Sequence, residues 1–341
     1  MLVIYGENNL LQTREIALNR WLSEQFNNSH IALKPLTGDA GFRRYFRFEH
    51  KKNSYIAVDA PSTYCNNQAF IDIQANIKQA GILVPELKYV DNQNGFFCLS
   101  DLGDTMLADK LSLSSMKYCY QQAMALIPQL ASLNVANLAA FDDDFVQMEL
   151  NIFVEWLLGE HLAITLNEQE LHQLQQCFDV LKQNISAQPK VFMHRDFHSR
   201  NLMWLEQGIA VIDFQDAVHG PVTYDIVSLL RDCYVKWPNE QVVELFDYFV
   251  STYGAYLIDE QIDRATWWRW FELTGLQRHV KAAGIFARLK HRDGKDGYLK
   301  DIPLTLAYII DVSSHYPELE YLHHLVKTTV VPALEARSNK Q

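Results

Sequence analysis

The chain has 341 residues, enough for one large core or two lobes, and its 48% hydrophobic and 21% charged residues are an ordinary globular balance. The net charge of −11 is uneven: residues 1–100 carry 10 Lys and Arg against 9 Asp and Glu, the remainder 20 against 32. An acidic bulk argues against a general nucleic-acid binder, which needs clustered cations, and no run approaches the ~18 apolar residues of a membrane span.

Residues 1–7 lack the cationic start and long apolar core of a signal peptide, and Cys65, Cys98, Cys119, Cys177 and Cys233 form no C-x-x-C pair. Free thiols and a cytoplasmic location are expected. Apolar residues at helical spacing (Leu11, Ile16, Leu18, Trp21, Leu22) predict a helix over 9–26. Strands are predicted over 31–36, 44–48 and 55–58, then a helix over 66–80 closed by Gly81, then strands over 87–90 and 96–99 around the turn 91–95. This makes a small α+β lobe over residues 1–100. Between its first two strands, Gly38 and Gly41 would let backbone N–H groups approach phosphate oxygens, although two glycines also suit an ordinary hairpin turn. Arg43, Arg44 and Arg47 follow as a basic cluster that could meet a nucleotide.

After Asp101-Leu-Gly-Asp104 the character changes to long amphipathic helices, predicted over 112–133, 144–158, 167–185, 223–236, 239–253, 259–291 and 317–335. Only 191–214 interrupts this second lobe, 101–341, with strand-like sequence: Val191 to Met193, then Asn201 to Leu205 paired across Glu206-Gln-Gly208 with Ile209 to Phe214. Inside it, His194-Arg-Asp-Phe-His-Ser-Arg-Asn201 has the spacing H-R-D-x-x-x-x-N. That spacing lets Asp196 face an incoming hydroxyl while Asn201 reaches a metal ion from the same loop, and Asp213 would complete the metal site. Magnesium takes hard oxygen ligands, usually a few side chains shared with waters and phosphates. Asp and Asn favour turns in any case, but the buried strands that frame this segment argue for a built site.

Other residues carry two readings. His198 is a substrate candidate, His194 is expected to pack under the loop, and Asp225 to brace the following helix and the catalytic loop. Gln215 and Asp216 could touch metal or substrate, or stabilise a turn. Arg278, Lys281, Arg288 and Arg292 share one helical face and suit either an anionic or polyhydroxyl substrate or ion pairs with the acidic lobe. Glu155 could bind sugar hydroxyls or face solvent.

At these residues the chain resembles the aminoglycoside phosphotransferase and choline kinase superfamily; Asp196-Phe-His198-Ser-Arg-Asn201, with His two after the Asp, is similar to its small-molecule members. Segments 38–47, 58–61, 194–201, 213–217, 220–225 and 277–298 further resemble the anomeric kinases of bacterial cell-wall recycling, over about residues 10–335. The resemblance implies an α+β, protein-kinase-like fold of two lobes, with a small five-stranded antiparallel sheet lobe and a large mainly helical lobe. It implies an ATP- and Mg2+-dependent phosphoryl transfer to C1 of N-acetylmuramate and N-acetylglucosamine, by a cytoplasmic monomer with no nucleic-acid or membrane partner. The implied nucleotide site comprises Gly38, Gly41, Arg43, Arg44, Leu99 and Asp101; the implied metal ligands are Asn201 and Asp213, with Asp196 catalytic. Alternatives are an aminoglycoside or other small-molecule kinase and a non-catalytic nucleotide-binding module. One departure bears on the second: the third strand ends in Asp59 where the wider fold carries a phosphate-binding Lys, so Arg43 or Arg44 would have to replace it, or metal and backbone hold the nucleotide. A protein kinase is disfavoured because no activation segment fits between Asp213 and Asp225.

Overall fold

Alternating and helical periodicities resolve in a computed structural model that describes residues 2–29, 31–36 and 42–338, so Gly38 and Gly41 lie outside the described residues. In chain order the elements are α1 (Leu2–Phe26), β1 (Lys34–Leu36), β2 (Arg44–His50), β3 (Asn53–Asp59), α2 (Asn67–Gln79), β4 (Leu87–Asp91) and β5 (Phe96–Ser100). Then come α3 (Met116–Met124), α4 (Ile127–Ala131), α5 (Asp143–Ile152), α6 (Glu168–Ser186), β6 (Lys190–Met193), β7 (Leu202–Leu205), β8 (Gly208–Val211), β9 (Val218–Pro221) and α7 (Tyr224–Leu230). The chain closes with α8 (Asn239–Leu257), α9 (Arg264–Asp293), α10 (Ile302–Ser313), α11 (Glu320–Leu325) and α12 (Val331–Ser338).

These elements form two compact units, Met1–Asp109 with Asn201–Gln215, and Lys110–Arg200 with Asp216–Gln341. In the first, five strands pair antiparallel in the order β1-β2-β3-β5-β4. Phe46, Phe48, Ala57, Phe96 and Cys98 alternate onto one face and close a core with Leu18 and Leu22 of α1. The opposite face carries Phe97, against which Phe70 of α2 packs. The hairpin β7–β8 belongs to this unit: Val211 N–H donates to the Leu83 carbonyl at 2.8 Å, and Trp204 N–H to the Thr105 carbonyl at 2.8 Å. The division therefore differs from a simple cut at residue 100, because backbone bonds tie a distant hairpin to the sheet unit.

In the second unit, β6 pairs antiparallel with β9, Val191 opposite Gly220. That partner was not read from the sequence, since Val218-His-Gly-Pro221 shows no alternation. Predicted helices are also interrupted for local reasons. The helix expected over 112–133 breaks before Pro128, which lacks an N–H and sits in the first turn of α4. The one expected over 144–158 runs as α5 and continues as a π-helix, Phe153–His161. Asp263 caps α9 by accepting from Thr266 N–H at 2.8 Å, so that helix starts later than expected. The stretch expected as one helix over 317–335 divides into α11, a π-helical turn and α12. Buried Ile302, Leu306, Ile309 and Val312 give α10 its core face, an element the sequence reading omitted. Gly284 of α9 lies against the start of the π-helix, where a Cβ would sit 2.6 Å from the Ile152 carbonyl and Phe153 nitrogen. All five cysteines are free thiols.

Candidate active site

The segment that leaves β6 is fixed before its functional side chain is reached. Asp225, in the first turn of α7, accepts the backbone N–H groups of His194 (2.9 Å) and Arg195 (3.1 Å), the bracing role expected of it. Burial pushes the Asp225 carboxyl up to about 7, against the opposing pull of those N–H groups and of Arg278. Arg195 has φ +75°, a conformation rare outside glycine, and Ser228 Oγ donates to its carbonyl at 3.2 Å. His194 is fully buried with its ring edge toward Phe197, packing under the loop as expected. Beyond Asp196, Ser199 Oγ donates to Asp232 at 3.0 Å, while the Arg200 guanidinium lies 3.6 Å over the Tyr234 ring that His198 meets edge-on.

Asp196 presents a carboxylate that is 41% exposed, 3.9 Å from Arg278 Nη2. Desolvation would raise its pKa, but the charges of Lys281, His198, Arg278 and Arg195 outweigh that and hold it below the usual carboxylate range. The cationic stripe of α9 divides. Arg278, itself only 7% exposed, is directed at Asp196. Lys281 instead donates to Glu149 at 3.3 Å and to the Tyr224 hydroxyl at 3.0 Å. Arg288 is half-buried, with Glu155 and Glu149 among the charges acting on it, while Arg292 pairs with its neighbour Asp293. Glu155 is exposed. Lys281 thus lies in an ion pair with buried Glu149, Arg292 in an exposed pair with its own neighbour, and Arg278 faces Asp196.

In the sheet unit, Asn201 precedes β7 and accepts Ile212 N–H on its carbonyl at 3.1 Å. Its side-chain amide reaches Asp213 at 3.4 Å, and Gln215 donates to the other Asp213 oxygen at 2.7 Å. Asp213 has φ +62° and is exposed. Among the described residues no cluster of three or more His, Cys, Asp or Glu could hold a metal. A carboxylate beside one amide suits Mg2+ nonetheless, because that ion keeps several waters and takes phosphate oxygens as further ligands. Asn201 would serve through its amide oxygen.

The two arginines proposed to replace the strand lysine lie apart. Arg44 Nε and Nη2 clasp Asp59 at 3.0 and 2.6 Å, and Arg14 of α1 clasps the other oxygen at 2.8 and 2.5 Å. Asp59 is fully buried on the α1 face of the sheet, so Arg44 is corrected from nucleotide ligand to a clamp between α1 and β2. Arg43 lies 5.6 Å over the Phe70 ring, and Phe70 stacks at 5.1 Å on Phe214, the neighbour of Asp213. Leu99 is buried in β5, and the Asp101 carboxylate is taken up by Arg47 (2.6 Å), Ser54 and Gly103 N–H. Burial works against the ionised Asp101, but those partners keep it below its ordinary range.

Two residues that make long-range ion pairs, Arg14 with Asp59 and Glu149 with Arg195, were missed in the sequence. Arg14 left no local signal. Glu149 left one, an acidic residue on the apolar stripe of α5 beside Val146 and Leu150.

The sequence matches the phosphotransferase enzyme family over residues 32–270. It is 36% identical over 322 residues to the N-acetylmuramate/N-acetylglucosamine kinase of Pseudomonas aeruginosa, covering 91% of this chain and 95% of that one. The protein of the same name from Neisseria meningitidis serogroup B is 37% identical, with 92% and 95% covered. Among solved structures, the choline kinase LicA from Streptococcus pneumoniae aligns with a TM-score of 0.62 at 12% identity, covering 87% of this chain and 99% of that one. A thermostable mutant of aminoglycoside phosphotransferase APH(4)-Ia aligns with 0.60 at 15% identity, covering 88% and 99%. These likenesses establish the kinase-like α+β fold, and the family match across most of its length makes this chain a member of the phosphotransferase enzyme family.

Proposed function

We propose that the protein transfers the γ-phosphoryl group of Mg2+-bound ATP to the anomeric hydroxyl of N-acetylmuramate and N-acetylglucosamine. The similarity to kinases of those sugars over nine-tenths of both chains supports the acceptor. The observation that carries the chemistry is Asp196, an exposed carboxylate kept ionised by cations on a loop that Asp225 holds from behind. A carboxylate below its usual range is a weak base. Asp196 therefore orients the acceptor hydroxyl by accepting its hydrogen bond and takes the proton as transfer proceeds, in keeping with a loose transition state that needs positioning more than deprotonation. Asn201 and Asp213 would hold Mg2+, which would neutralise phosphate charge there. Arg43 is the phosphate cation, two residues after Gly41 in the sequence. Arg278 stands at the acceptor side, where a guanidinium suits the lactyl carboxylate of N-acetylmuramate and repels a polycationic aminoglycoside.

Coupled measurement of ADP release tests this reading. Both sugars should be consumed, their 1-O-methyl glycosides should not, and Arg278→Ala should weaken N-acetylmuramate selectively by roughly 10- to 100-fold, a charge-assisted bond being worth ~1.5–3 kcal/mol. Transfer to a methyl glycoside, or to an aminoglycoside in preference to either sugar, would overturn it.

A further inference from the structure

We infer that Glu149 is a positioning residue for the catalytic carboxylate, acting through Arg195 and Lys281; the inference rests on the reading of Asp196 given above. Glu149 is 3% exposed and sits on α5, away from the catalytic loop in sequence. Its Oε1 accepts from Arg195 Nη2 at 2.7 Å and from Lys281 Nζ at 3.3 Å, and its Oε2 accepts from Gln277 at 2.9 Å. One buried carboxylate thus joins α5, α9 and the residue preceding Asp196.

Arg195 is held through its backbone and through both Nη atoms of its guanidinium. Its N–H goes to Asp225, its carbonyl receives Ser228, its Nη1 donates to the Asp216 carbonyl at 3.3 Å, and its guanidinium lies 5.1 Å over the Phe145 ring, one helical turn before Glu149. A non-glycine residue at φ +75° persists only where its surroundings over-determine it. Because Asp196 is the next residue, whatever anchors Arg195 sets the direction in which Asp196 points.

Charge adds a second argument. Arg195 and Lys281 are both among the cations acting on Asp196. With Glu149 ionised they are directed to it, and Asp196 stays turned toward the acceptor. Without that anion, two partly buried cations have Asp196 as a nearby carboxylate, and the attraction draws it inward. The Glu149 carboxylate is buried and taken up by Arg195, Lys281 and Gln277, which separates it from the accessible Asp196.

The test is kinetic. Glu149→Gln keeps the size of the side chain and removes the charge. We expect kcat to fall on the order of 10- to 100-fold, as for misplacement of a reacting group by about an ångström, with KM for ATP and sugar within about threefold. The double variant Glu149→Gln with Lys281→Met restores the net charge and should recover most of the lost kcat, a rescue that a purely structural role does not give. Unchanged kcat in Glu149→Gln, or a double variant no better than the single, overturns the proposal. Should Glu149→Gln not fold, Arg195→Lys serves instead: it keeps a cation but loses the guanidinium fork, and the same kcat loss at constant KM is expected, with unchanged kcat counting against the idea. Asp196→Asn measured alongside separates the two levels. Full activity there removes Asp196 from the mechanism, whereas an inactive Asp196→Asn beside an active Glu149→Gln removes only Glu149.

Discussion

Arg43 and Arg44 are adjacent in sequence yet have opposite surroundings: Arg44 opens β2, and Arg43 precedes it. Arg44 shares buried Asp59 with Arg14, while Arg43 lies with Phe70, Phe214 and the Asp213 segment. Arg43→Ala is expected to lower kcat with the fold intact, since a cation near the transferred phosphoryl stabilises charge that grows in the transition state. Arg44→Ala is expected instead to lower stability by about 1–3 kcal/mol, less than complete removal of a buried pair because Arg14 remains on Asp59. Steady-state kinetics and chemical denaturation on both variants decide the matter; catalytic loss at unchanged stability in Arg44→Ala would reverse the assignment. The meeting of Asn201 with Asp213 and the bracing of the Asp196 loop by Asp225 were legible because motif spacing is local. Arg14 and Glu149 were not, since their partners Asp59 and Arg195 lie 45 and 46 residues away and pairing at that distance has no periodicity to read.

At the scale of elements, hydrophobic period made the strands of the sheet unit and the long helices legible. It failed where an element is defined by its neighbour: β9 is a strand because β6 supplies its hydrogen bonds, and the π-helix after α5 has no sequence period of its own. α9 shows what such neighbours demand. A Cβ on Gly284 would meet Ile152 carbonyl and Phe153 backbone atoms at 2.6 Å, atoms that cannot turn aside as a side chain can. On the same helix a Cβ on Gly275 would meet Val227 at an ordinary 3.5 Å. Gly284→Ala is therefore expected to destabilise by about 1–3 kcal/mol through overpacking. Gly275→Ala should be neutral or stabilising, because Ala is favoured over Gly inside a helix by ~1 kcal/mol. Thermal and denaturant unfolding of the pair checks this, and equal effects at the two positions would show that the close approach of α9 to the start of the π-helix is not what Gly284 provides. The same approach places Gln277 and Lys281, about two turns and one turn earlier on α9, onto Glu149 of α5.

Across the whole molecule the acidic excess of residues 101–341 contrasts with the cationic setting of Asp196, so the response to pH is governed by particular buried groups more than by net charge. His279 is the clearest of them. It is fully buried, its Nε2–H donates to the Arg231 carbonyl at 3.1 Å, and its ring stacks on Tyr308 at 4.4 Å. Its Nδ1 is buried without a hydrogen-bond partner among the described residues. Burial, then the charges of Arg278 and Arg231, push His279 down to about 3. A histidine whose folded pKa lies below its unfolded value of ~6.5 stays neutral in the fold while the unfolded chain takes up the proton. The stability it supports is therefore present above about 6.5 and is lost as pH falls from there toward 3, reaching ~2 kcal/mol at pH 5 relative to neutral pH. His161, pushed down to about 4 by burial, acts in the same direction, whereas Asp225, raised to about 7 by burial, acts in the opposite one. A comparison of variants cancels both. His279→Phe keeps a stacking ring and removes the titration, so its deficit against the wild type should shrink by about 2 kcal/mol between pH 7 and pH 5. Urea unfolding at the two pH values measures that difference directly. Parallel loss of stability in the two proteins would mean that the imidazole accepts its proton inside the fold, and that the Tyr308 stack and the Arg231 carbonyl leave room for a charge beside two guanidinium groups.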